Sequence, residues 1–129
     1  MKPMKIKHFS KGNKYSNSLL TKIRVGRSSL NLHKFSIGKI ESPECLCHYK
    51  EESVSHFFLD CFLYTLERQT LFSLFGHYIP NFPNFSKHKK LYTILNGINI
   101  GDNDFLSTNI SLTIATQNFI LQTNRFVEG

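Results

Sequence analysis

The sequence has no tryptophan, no acidic residue in its first forty positions, and no apolar run near the roughly 18 residues that a membrane span needs. Each absence excludes something. The lysine-rich start also lacks an apolar h-region, so neither a secretory leader nor a membrane anchor is expected, and nucleus or cytoplasm is the expected location. Cysteine is scarce as well: three residues, an odd count that does not pair into a secreted disulfide framework. In a reducing compartment three such residues read as metal ligands or free thiols. No Y-x-D-D pair, Ser-His-Asp set or Gly-rich phosphate loop occurs, and the acids are scattered. A polymerase site needs carboxylates that hold two divalent ions about 4 Å apart, and this chain does not supply them. His77 and His88, lone histidines beside polar or basic neighbours, read as solvated. No enzyme is expected.

What is present is phenylalanine and charge. Twelve Phe in 129 residues point to one compact domain with a core of Phe, Leu and Ile. The net charge of +7 is unevenly spread. Ten basic residues, Lys2 to Lys39, fall in the acid-free first forty, whereas residues 41–75 hold six acids against Lys50 and Arg68, a balance of −4. An acid-free basic stretch beside an acidic centre suggests a polyanion partner for the first third, although a solubilising tail has the same composition. His8, Phe9 and Tyr15 lie among those lysines, as stacking side chains would for a single-stranded nucleic acid.

Residues 1–15 show no period and read as a flexible basic arm. From Ser16, Leu19, Leu20, Ile23, Leu30 and Phe35 recur at nearly helical intervals, with Ser16 or Ser18 as N-cap and Lys22, Arg24 and Arg27 largely on the other side. Gly26 counts against an unbroken helix, and "IGKIESPEC" reads as a loop. Val54, Phe57, Phe58 and Cys61 then describe a short amphipathic helix starting near Ser53. Tyr64, Arg68, Leu71 and Phe75 form the stripe of a second, with Arg68 expected to snorkel past the core and Gly76 to end the helix. Residues 77–90 read as a Pro-punctuated loop, and "LYTILNG" as a helical piece ending at Gly97. A last helix is expected after Asp102 or Asp104, with Leu106, Ile110, Ile114 and Ile120 inward; its Thr, Ile and Asn content leaves a strand as the alternative.

The remaining stretch is "CLCHYKEESVSHFFLDC". Its pattern, C-x-C-x8-H-x4-C, offers Cys45, Cys47, His56 and Cys61 as a closed Cys3His zinc shell, with no open position for hydrolysis. Taken singly, Cys47 or Cys61 would be a small core hydrophobe and His56 a satisfied core histidine; their concentration in seventeen residues favours ligands. His48 competes with His56 for the fourth place, but three ligands within four residues would strain a tetrahedron. Five residues of α-helix rotate about 500°, leaving Cys61 some 140° from His56. Both meet one ion only if the helix ends, tightens or bends near Cys61.

These residues resemble the C-terminal zinc-binding (CCHC) region of reverse transcriptases from non-LTR (LINE-type) retrotransposons. In that family an L-x-x-[LI]-R-x-G-x-x-x-L helix precedes a C-x-C…H-F-x-L-x-C motif. Leu20, Ile23, Arg24, Gly26 and Leu30 match the first helix, Cys45, Cys47, His56 and Cys61 the ligands, Phe57 and Leu59 the helix between the last two ligands, and Tyr64 and Arg68 the segment after it. The tail that closes in "TNRF" is similar to the C-terminal helices of animal members. One departure stands out: members commonly carry Gly after the second cysteine, where this chain has His48. The resemblance covers roughly residues 16–126 and implies a non-catalytic fragment of such an enzyme.

The sequence thus predicts a mostly α fold: a basic arm at 1–15, a zinc-binding helical domain at 16–76, and a helical extension of the same domain at 77–129. The expected cofactor is Zn²⁺. The expected partner is RNA or single-stranded or target DNA, held by Lys22, Arg24, Arg27, Lys34 and Lys39. The alternative is a retroelement-derived structural subunit that docks on a protein. Neither a membrane nor a small-molecule substrate is expected.

Overall fold

The computed structural model describes residues 18–98 and 104–126, with backbone only at 104–106. The expected arm at 1–15, the Ser16 cap, Asp102 and the Leu106 side chain lie outside them. The described residues are mostly helical, without strands. Residues 18–24 belong to α1, followed by α2 (Asn31–Ser36), a π-turn (His56–Asp60), a 3-10 turn (Phe62–Tyr64), α3 (Thr65–Tyr78), a second 3-10 turn (Phe82–Asn84), α4 (Lys87–Asn96) and α5 (Asp104–Thr123).

The run from Ser18 to Phe35 is two helices. Gly26 sits at φ +80°, where its N–H donates to Ile23 O while Arg27 N–H donates to Lys22 O. That paired-bond ending requires a left-handed residue, which glycine adopts without a Cβ penalty. Leu20, Ile23 and Leu30 are buried as the spacing predicts, but the break at Gly26 resets the phase and Phe35 is exposed.

The α3 stripe is fully inward: Tyr64, Arg68, Leu71 and Phe75 are all buried. Two expectations there are corrected. Arg68 enters the core instead of snorkelling past it, and α3 runs through Gly76 to Tyr78, because a single glycine near a packed helix end is tolerated. α4 also begins earlier than the apolar pattern suggests, at Lys87, because Ser86 Oγ caps it by accepting from Lys89 N–H at 3.1 Å.

The C-terminal segment is a helix and not a strand; of the expected inward residues Ile120 is buried, but the face before it is turned. Ile110 is exposed and Ile114 half-buried, while Leu112, Ala115, Thr116, Phe119 and Ile120 face the core. Apolar residues occur on every side of α5, so hydrophobicity alone does not choose a face. A polar anchor helps fix it: Thr116 Oγ donates to Ile94 O of α4 at 3.0 Å. α5 packs across α3 and α4. Phe57, from the π-turn, meets Phe58, Tyr64, Phe119 and Phe126 edge to face, with ring centroids 5.0–5.5 Å apart. The cysteine-bearing segment is therefore built onto the same aromatic core as the last helix.

Candidate metal centre

Two backbone devices present the four candidate ligands. The first is a tight turn at 45–49, closed by His48 N–H to Cys45 O at 2.8 Å and Cys45 N–H to Tyr49 O at 3.0 Å. The turn passes through a left-handed residue, His48 at φ +77°. Glu52 N–H returns to Pro43 O at 2.7 Å and seals the loop base.

The second device resolves the angular problem between His56 and Cys61. The helix that starts at Val54 widens: Cys61 N–H donates to His56 O at 2.8 Å, an i→i+5 bond. In this wider turn five residues complete little more than one revolution, so both side chains reach the same side. Cys61 then leaves the helix in extended conformation (φ −62°, ψ 123°). The chain thus widens and then ends, where tightening was among the expected solutions.

The result brings Cys45, Cys47, His56 and Cys61 together, with one ligand atom from each, all within 4.8 Å of one another. Cys45 Sγ lies 3.7 Å from Cys61 Sγ, and Cys47 Sγ lies 3.2 Å from His56 Nε2. A disulfide would need about 2.05 Å, whereas two thiolates about 2.3 Å from a tetrahedral ion sit roughly 3.8 Å apart. The donor set and its spacing fit a metal. It is a Cys3His group able to hold one ion.

His48 is not part of it. Its side chain is exposed, with Nδ1 3.2 Å from Glu44 Oε2. His56 is buried, and its ring stacks on Tyr49 at 4.5 Å and 8°. Burial pushes its pKa down, which favours the neutral imidazole that metal binding needs. Nε2 faces the sulfurs, and the buried Nδ1 has no protein partner. Burial also pushes the Cys45 thiol up to about 12 and the Cys61 thiol upward, so an incoming ion must displace their protons.

The left-handed His48 carries its own prediction. A non-glycine residue there costs roughly 1–2 kcal/mol, partly offset because glycine has more chain entropy to lose. His48→Gly is expected to stabilise the metal-loaded fold by about 0.5 kcal/mol. Chemical denaturation checks this, and metal affinity should not fall.

None of the predicted nucleic-acid contacts belongs to the cluster. Lys22, Arg24, Arg27 and Lys39 are exposed and Lys34 half-buried, on α1, the stretch between α1 and α2, α2, and the turn after it. Arg24 has a structural duty too, its Nε–H donating to Leu95 O near the end of α4.

Sequence reasoning missed Glu52, Arg125 and the depth of Arg68. Glu52 is 0% exposed and accepts from Asn31 N–H at 2.8 Å and from Arg125 Nε and Nη2, both at 2.6 Å. Arg125 Nη2 also reaches Ser29 O and Asn31 Oδ1 at 3.3 Å. Only Arg68 had a legible signal, a charge at an inward helical position.

Comparison of the chain with protein-family models, curated proteins and solved structures finds no match. The likeness to non-LTR reverse transcriptases therefore rests on the motif residues alone.

Proposed function

We propose that this chain is a non-catalytic nucleic-acid-binding module whose fold is held by zinc at Cys45, Cys47, His56 and Cys61. The convergence of four soft or borderline ligands, three sulfurs and one neutral imidazole, carries this reading. Such a set favours Zn²⁺ over hard cations and leaves no coordination site for substrate, so the ion serves structure. Lys22, Arg27, Lys34 and Lys39, with Arg24 in part, supply the phosphate contacts, and RNA or single-stranded DNA is the ligand class. The resemblance to the C-terminal segment of a non-LTR reverse transcriptase points the same way.

Salt titration of binding tests it. Log affinity for a single-stranded RNA or DNA should fall linearly with log salt, and removing one phosphate-binding side chain should flatten the slope by about 0.7. Lys22→Glu with Arg27→Glu is the variant of choice, since both side chains are exposed. Binding that is absent, or indifferent to salt, rejects the nucleic-acid role.

One observation favours a second reading. Phe62 and Leu66, which follow Cys61 in the chain, are 67% and 74% exposed, and Leu46 and Leu63 are exposed as well. On that reading the chain is a retroelement-derived structural subunit that docks on a protein, with zinc serving only the fold. A monomer by size-exclusion mass that binds RNA and captures no protein partner counts against it.

A further inference from the structure

Arg68 is 9% exposed, inward on α3 between Tyr64 and Leu71. Its Nε–H donates to Phe58 O at 2.9 Å, and Nη2 donates to Cys61 O at 2.7 Å and Phe57 O at 3.3 Å. All three acceptors are carbonyls, and no carboxylate among the described residues forms an ion pair with it. Arg125, the other deeply placed guanidinium, has Glu52. Asp60 and Glu67 favour its charge from a distance, but Cys61 acts on it more strongly than either, and a buried charge without a contacting counter-ion is unfavourable.

The carbonyls it holds belong to the π-turn that presents His56 and to Cys61 itself. Three thiolates, one neutral imidazole and a divalent ion sum to −1. Lys50, the nearest cation along the sequence, is exposed and makes no such contact. We infer that Arg68 is the buried counter-charge of the metal centre, positioning the ligand turn through its carbonyls while offsetting the negative charge of three thiolates around a divalent ion. This rests on the metal reading and deepens it. It gives a reason for three sulfurs: a neutral Cys2His2 set would leave Arg68 only Asp60 and Glu67, neither in contact with it, and a single positive charge matches one excess thiolate.

Competition of Co²⁺ and Zn²⁺ against a chromophoric chelator at fixed pH tests the inference, with the cobalt spectrum reporting tetrahedral sulfur ligation. Arg68→Gln keeps a donor but no charge and should weaken metal binding by about tenfold or more, the usual cost of losing an outer partner. Arg68→Lys keeps the charge and should lose far less. In a Cys47→His background, where the loaded site is neutral, the penalty of Arg68→Gln should nearly vanish. Equal penalties in both backgrounds, or equal losses for Gln and Lys, overturn the counter-charge and leave a purely structural arginine. Should Arg68→Gln alone fail to fold, the double variant decides: folding with metal supports the inference, and failure overturns it. A wild-type chain that takes up neither ion sinks the metal reading and this inference with it.

Discussion

Stripping the metal with a strong chelator is expected to abolish most of the helical circular dichroism, because the ion contributes folding free energy on the order of 10 kcal/mol in sites of this kind. The sequence alone points to unfolding of residues 45–76, and the packing implies that the loss reaches further. Phe57 and Phe58 are fully buried between ligands His56 and Cys61, and both rings meet Phe119 of α5. Once the π-turn is without its ion, the aromatic cluster has no fixed centre, and α3 and α5 no longer share a core. Unfolding should therefore be cooperative across the described residues and reversed by adding Zn²⁺. An unchanged spectrum and melting curve after chelation would refute the metal centre. The sign of the pH effect follows from the thiols. Burial in the folded site pushes the Cys45 and Cys61 thiols up, and in an unfolded chain ordinary thiols are still protonated at neutral pH, so each surrenders a proton on binding. Apparent metal affinity should rise with pH by roughly a hundredfold per unit for those two protons, and acid should release the ion.

Arg125→Met is expected to destabilise the fold by about 3–5 kcal/mol, the usual cost of leaving a buried charge without its partner. Glu52 has no exposure to water, and Arg125 contributes both bonds that meet its carboxylate oxygens from a side chain. The remaining bond, from Asn31 N–H, does not neutralise the charge. Pairing the change with Glu52→Gln removes the stranded carboxylate and should recover most of the loss. Urea denaturation of the two singles and the double gives the coupling directly. If the singles cost under about 1 kcal/mol each, the pair does not clamp the fold.

Local patterns carried the sequence reading as far as they went. Tyr64, Arg68, Leu71 and Phe75 share one face because their spacing matches the helical period, and that face is buried. The C-x-C…H…C pattern likewise names the four residues that converge, though the π-turn is what brings His56 and Cys61 together. What escaped was either non-local or dependent on backbone choices that period does not encode. Glu52 and Arg125 stand 73 positions apart, and neither has a neighbour that announces the other. The π-turn requires an i→i+5 bond that no residue preference in "HFFLD" signals. On α5 the surplus of Leu and Ile hid the inward face, which Phe119 and the Thr116 hydroxyl reveal only once α4 is in place.

The Glu52–Arg125 clamp also imposes an order of events during synthesis. A ribosome that has produced the cysteine loop and everything through α4 has made every sulfur, yet the carboxylate beside that loop still lacks its cation. That carboxylate meets its cation only when residue 125 is in place beside it, so the cysteine loop and the segment that follows α5 are completed by the same contact.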